Sequence, residues 1–338
     1  MTAADLAVID YLLQAPVAPT RITFFCEWTE AWKSLVPLWK FPVDRALAGG
    51  FAADRPAWAF AAGYQAALQR LLPAADPARI AAICITEKGG PHPARIQSCL
   101  KTDPETASRW RLDGTKAFVS GAGGAEILYV AASTGMTPQG RNILRMVSVS
   151  ADSAGVTVDP CPSLGMVPEM PHGQVRFEAV SLARDALWPG DGYTGAIKPF
   201  RTLEDLHVTG AFLGWLFAVG RRFGWPASTK ETMVSLMVAV RSLALAPPLD
   251  PHVHIALGGL LAQVHGLLEE IVPLWQKADS RIRDWWLRDR KVLDIADTPR
   301  QRRLGAARSH YSGTCWLLLP DARGVTFRCG FQRFYISP

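Results

Sequence analysis

Ile83-Cys84-Ile85-Thr86-Glu87-Lys88-Gly89-Gly90 opens the part of the chain whose reading decides the fold, and Leu112-Asp113-Gly114-Thr115-Lys116-Ala117-Phe118-Val119-Ser120-Gly121 continues it. Each couples a short β-prone run to a glycine-bearing turn, a strand signature rather than a helical one. The same pattern extends from about Ile80 to Val180. Strands are expected at Ile80 to Thr86, Trp110 to Leu112, Ala117 to Ser120, Leu128 to Ala132, Ile143 to Val149, Val156 to Val158 and Val175 to Phe177. Asp113-Gly114 reads as a tight turn between the second and third.

On either side the period changes to that of helices. Arg55 to Leu72 places Trp58, Phe60, Ala61, Tyr64, Ala67, Leu68 and Leu71 at helical spacing. Downstream, Leu203 to Phe223 is apolar almost all round and predicts a buried helix, which Pro226 stops. A second helix is expected from about Glu231 to Ala246. Asp250-Pro251 opens a third, to about Lys277, and Thr298-Pro299 opens a last one ending near Leu319-Pro320. The expectation is an α+β chain: an N-terminal helical region over 1–79, an all-β middle domain over 80–192, and a C-terminal helical bundle with a short tail over 193–338.

Composition narrows the classes. In 338 residues, 49% hydrophobic and 20% charged, there is ample core and no disorder signature. The longest nearly apolar stretch, Val208 to Val219, is too short for a membrane span. The start lacks a basic region before an apolar run, which predicts no secretory signal and a cytoplasmic protein. Cys26, Cys84, Cys99, Cys161, Cys315 and Cys329 lie far apart, so neither a disulfide framework nor a metal site is expected. His252-x-His254 reads as surface or helix-end. Of the net charge of +6, most arises between Arg281 and Arg308, where nine Lys/Arg face four Asp. That run is either a solvated face or one turned to phosphates. Trp285-Trp286 within it reads as packing, and no nucleic-acid-binding pattern is found.

The order of motifs carries a resemblance. After Thr86-Glu87-Lys88-Gly89-Gly90 and Gly114-Thr115-Lys116-Ala117-Phe118-Val119-Ser120 come Leu164-Gly165-Met166, Val175-Arg176-Phe177 and Leu187-Trp188-Pro189-Gly190-Asp191-Gly192. This succession resembles the acyl-CoA dehydrogenase family, over about Pro42 to Gly220 and best from Ile83 to Gly192. The resemblance implies FAD, an acyl-CoA substrate, α,β-dehydrogenation, an electron-transfer flavoprotein as acceptor and a homo-oligomer. It assigns Ile85 and Thr86 to the flavin edge, Phe118 to a wall against the ring, and Ser120 to the ring's polar side. The plain alternative makes these ordinary strand residues, with Phe118 in the core.

Three departures stand out. Pro91-His92-Pro93 replaces the glycine, serine and aspartate of the family's pyrophosphate turn, which removes backbone donors. His92 either substitutes for the serine or faces solvent. The usual glutamate motif after the bundle is missing, since His310-Tyr311-Ser312-Gly313-Thr314 has serine there. Leu203-Glu204-Asp205-Leu206-His207-Val208-Thr209-Gly210 instead matches the alternative site on the first bundle helix and makes Glu204 the candidate base. Acids are also favoured in the first turn of any helix. The glycine motif by which a neighbouring subunit completes the cofactor site is lacking, and Gly258-Gly259 stands in another context. These departures leave two rival readings: a catalytically silent paralogue acting as a binding or assembly subunit, and oxygen-activating flavin chemistry on the same architecture.

Overall fold

The computed structural model describes residues 6–90, 92–161, 165–295 and 297–311. Pro91, Leu164, Ser312 and everything after it lie outside the described residues. So do Cys315, Cys329 and the end of the last expected helix.

Four helices come first: α1 (Ala7–Gln14), α2 (Phe25–Leu35), α3 (Pro42–Ala52) and α4 (Pro56–Leu71). Pro42 and Pro56 stand at helix starts, where a missing N–H costs nothing. The sheet follows with β1 (Ala81–Cys84), β2 (Cys99–Thr102), β3 (Arg109–Val119), β4 (Ile127–Met136), β5 (Asn142–Ser150), β6 (Val156–Pro160) and β7 (Gly173–Ala183). Its order is β1-β4-β2-β3-β7-β6, with β5 paired to β4. β1 runs parallel to β4, with Ala81 opposite Ile127, and β3 runs antiparallel to β7.

Asp113-Gly114 is not a hairpin turn. It is a bulge inside the single strand β3, because both halves of that strand pair with β7. Gly114 has φ +146°, and a Cβ there would fall 2.3 Å from the Ser98 hydroxyl oxygen. Asp113 bridges the irregularity by accepting the Ala179 amide at 2.7 Å.

The bundle comprises α5 (Lys198–Arg222), α6 (Ala227–Leu245), α7 (Pro251–Glu270), α8 (Ser280–Asp289) and α9 (Asp297–Tyr311). The third expected helix ends early, at Glu270, and Val272–Lys277 is a 3-10 turn. Helix α8 had no forecast: its sequence is dense in arginine, and only Ile282 and Trp286 provide a buried apolar stripe. Helix α5 lies at the centre, against α3 and α4. Glycines permit the approach, for a Cβ on Gly50 would lie 1.9 Å from the Ala211 carbonyl and one on Gly63 would lie 2.6 Å from Val208 Cα. One core fills the helical layers and the sheet face against them. A second fills the sheet's own interior around Leu112, Val130, Val147 and Phe177.

Candidate active site

The ends of β1 and β3 meet at one rim of the sheet. Ile85 is buried, and the Thr86 carbonyl accepts the Ala117 amide at 2.8 Å, so Thr86 stands beside Phe118. A register shift between Lys116 and Val119 turns Phe118 out of the pleat. Its φ is +54°, which an aromatic residue adopts only at a cost, and its side chain is 56% exposed. Phe118 is therefore not a core residue. Thr86 and Ser120 flank it half-buried.

A buried ion pair fixes this rim. Lys116 is fully buried and places Nζ 2.7 Å from Glu87 Oε1 and 3.4 Å from the Ile85 carbonyl. Glu87 also accepts the amides of Gln97 at 2.7 Å and Ser98 at 3.0 Å, and the Ser98 hydroxyl at 2.8 Å. Burial pushes the Glu87 carboxyl up, but Lys116 and the amides outweigh it and leave the pKa lowered. Burial also draws the Lys116 ammonium down, against the pull of Glu87. Neither residue had been singled out in the sequence. The available signal was that both are charged residues next to apolar strand residues, in Ile85-Thr86-Glu87 and Lys116-Ala117-Phe118.

Past Gly90 the chain engages its own donors. His92 is exposed, and its Nδ1 accepts the Ala94 amide at 3.3 Å. The Arg95 amide bonds the His92 carbonyl at 2.8 Å, and the Ile96 amide bonds the Pro93 carbonyl at 3.3 Å. The Gly90 amide bonds the Glu87 carbonyl at 2.8 Å. A flavin dinucleotide set against this rim would meet two unlike surfaces. The exposed aromatic face between two hydroxyls suits the planar ring with its polar edge, whereas the described amides from Ala94 to Ser98 all have partners within the protein.

Glu204 stands on α5, about two helical turns past a π-helical start at Tyr193–Ile197. It is half-buried by surface area, yet protein atoms crowd its carboxyl, and burial pushes its pKa up to about 7. The neighbouring Asp205 charge adds to the rise, while Arg300, Arg201 and Arg303 oppose it. Tyr64 joins this region to the rim: its hydroxyl accepts the Ile83 amide at 2.9 Å, and the Glu204 charge reinforces the upward push that burial gives its phenol. Asp205 is itself buried. It accepts from Arg300 Nε at 2.9 Å and from Arg303, which ties α9 to α5. Burial pushes its carboxyl up against the pull of both arginines.

The basic run is thus not simply a solvated face. Besides Arg300 and Arg303, Arg288 turns inward to Glu169 at 2.8 Å and to the fully buried Asp289 at 2.7 Å. His254 is buried rather than at the surface, and it lines a cavity of about 120 Å³ with Arg300 and Arg303. His207 is buried one turn beyond Leu203, whose carbonyl lies 2.7 Å from Nδ1; burial draws its pKa down to about 4, so it is neutral at pH 7. Cavities of about 510 and 580 Å³ lie elsewhere, between α5 and α6 and beside Cys161 and His172, and Thr86, Phe118, Ser120 and Glu204 line none of the three. Among the described residues no three His, Cys, Asp or Glu cluster as metal ligands, and no helix is long and apolar enough to cross a membrane.

Residues 82–180 match the family model of the acyl-CoA dehydrogenase middle domain. The fold is shared with butyryl-CoA dehydrogenase from Megasphaera elsdenii at 12% identity and a TM-score of 0.67, covering 91% of this chain and 99% of that one. It is shared with dibenzothiophene monooxygenase (TdsC) from Paenibacillus sp. A11-2 at 16% identity and a TM-score of 0.61, over 83% and 84% of the two chains. TdsC has also been solved with FMN bound. The apo form of PigA matches at 12% identity and a TM-score of 0.63, over 91% and 98%. At such identities the likeness is one of fold. No curated protein matches the chain by sequence.

Proposed function

From the premise that the chain is an acyl-CoA dehydrogenase-like protein, with that family's middle domain and fold, we propose that it is a flavin-dependent oxidoreductase. Its reaction is α,β-dehydrogenation of an acyl-CoA thioester. The observation that carries the reading is Phe118: an exposed aromatic ring in a left-handed backbone, between Thr86 and Ser120, that no packing among the described residues explains. Ile85 backs this rim from the core, and the buried pair Glu87–Lys116 ties the end of β3 to the segment after β1.

FAD is the flavin implied by the family resemblance, and FMN is the one bound by TdsC. Both present the same ring to Phe118. A flavin held at this rim would supply the acceptor for a hydride leaving the substrate β-carbon. Glu204, ionised above about pH 7, takes the α-proton onto a carboxylate oxygen, so that one proton and one hydride leave and a C=C bond forms. Its raised pKa suits a base that works near neutrality, and the packing around it limits the water that would compete. An electron-transfer flavoprotein would take up the electrons, with the enzyme acting in the cytoplasm as a homo-oligomer.

The test is a visible spectrum of the purified protein before and after incubation with flavin and desalting. Anaerobic titration with acyl-CoA thioesters of graded length follows. Retained flavin bleached by a thioester is the expected result. A flavoprotein that no thioester bleaches but that consumes oxygen with a reductant would favour the chemistry named for TdsC. A colourless protein that retains no flavin overturns the reading and leaves a binding or assembly subunit.

A further inference from the structure

We infer that the flavin site of this chain selects the mononucleotide FMN over the dinucleotide FAD. The inference rests on the flavin reading above and concerns the turn between Glu87 and Ser98. A pyrophosphate bound to protein calls for several fixed N–H donors, because desolvated phosphate oxygens without partners are costly. Among the described residues this turn leaves only the Lys88, Gly89 and His92 amides unbonded within the protein. Pro91 and Pro93 carry no N–H. The amides of Gly90, Ala94, Arg95 and Ile96 are bonded within the turn, and those of Gln97 and Ser98 are bonded to the Glu87 carboxylate. The Ser98 hydroxyl is also given to Glu87.

What the turn does offer is side chains. Lys88, His92 and Arg95 are all exposed. The Arg95 side chain lies beside Gly89, where a Cβ would fall 3.5 Å from Arg95 Cβ and 3.6 Å from its Cδ. Because His92 Nδ1 accepts the Ala94 amide, the neutral ring carries its proton on Nε2. Two long cations and one ring N–H suit a single terminal phosphate, which such side chains can reach from several directions. They do not make the preorganised cradle that a second phosphate and an adenosine would need. The glycine pair Gly258-Gly259 does not replace it: both residues lie inside α7, and Gly258 packs on the Leu304 side chain, where a Cβ would fall 3.0 Å from Leu304 Cδ2.

The experiment uses the full chain freed of any flavin and titrated with riboflavin, FMN and FAD, followed by flavin fluorescence. FMN is expected to bind at least about tenfold more tightly than either of the others, the equivalent of one charge-assisted contact. FAD binding as tightly as FMN, or more so, overturns the inference and leaves the flavin reading standing. Failure of all three ligands to bind removes that reading, and the inference with it. Arg95→Ala separates the phosphate from the ring: it should weaken FMN about tenfold and leave riboflavin unchanged. Equal loss for both ligands would refute the phosphate assignment.

Discussion

Replacing Glu204 by glutamine tests the raised carboxyl without presupposing a ligand. Folding lifts this pKa from 4.5 to about 7, so the native state holds the proton more tightly than the unfolded chain does. The stability that follows is complete below the ordinary pKa and is lost as pH rises through about 7. Between about pH 5 and about pH 8.5 the wild type should lose about 2.5 kcal/mol relative to a variant that cannot titrate there. Solvent reaching part of the side chain screens this, so a change of about 1 to 2.5 kcal/mol is expected. Urea unfolding of both proteins across that range gives the difference directly, since every other titrating group is common to the two. A difference that stays flat, or grows in favour of the wild type with rising pH, would refute the reasoning. In the dehydrogenase reading the same substitution lowers turnover by about 10²- to 10⁴-fold and leaves flavin retention intact.

Lys116→Met leaves the Glu87 carboxylate buried without its cation and should cost about 3 to 5 kcal/mol in denaturant unfolding, much of it recovered when Glu87→Gln is added. Phe118→Gly relieves a left-handed backbone and removes an exposed ring, so its unfolding free energy should hold or rise by about 0.5 to 1 kcal/mol. Flavin binding measured on that variant should nevertheless weaken about tenfold. Asp205→Asn removes a like charge beside Glu204 and leaves Arg300 and Arg303 without their carboxylate, and both changes draw the Glu204 pKa down. The pH midpoint of turnover should therefore fall below that of the wild type; a rise would contradict the assigned electrostatics.

What the sequence disclosed and what it concealed have physical causes. Periodicity alone located α4, α5 and β4, because each buries a continuous apolar run. The rim at Thr86 and Phe118 was legible only through the order of motifs, and its openness was not, since exposure depends on a bulge that no local pattern encodes. Asp113-Gly114 carries strong turn chemistry, and pairing of both flanks with β7 overrode it. Helix α8 was hidden because charged residues dominate its sequence. Its stability comes from a stripe of two residues and from Asp289, which accepts the Val167 amide at 2.7 Å from 122 residues away. The inward turn of Arg288, Arg300 and Arg303 was equally invisible, because their partners Glu169, Asp289 and Asp205 lie mostly on other segments.

Four tryptophans meet where α8 closes on the bundle. Trp275 and Trp286 stack at 5.4 Å and 15°, Trp215 lies 5.9 and 5.8 Å from them, and Trp225 meets Trp275 edge-on at 5.3 Å. Indoles this close share their excited states, so their coupled transitions give a circular dichroism couplet that isolated tryptophans lack. Because Trp286 belongs to α8, undocking that helix removes its contacts with Trp215 and Trp275 and weakens the couplet, while the Trp215–Trp275 and Trp225–Trp275 contacts remain. The chain therefore carries an intrinsic optical gauge of one helix's attachment, readable without a label and at wavelengths shorter than those at which a flavin is followed.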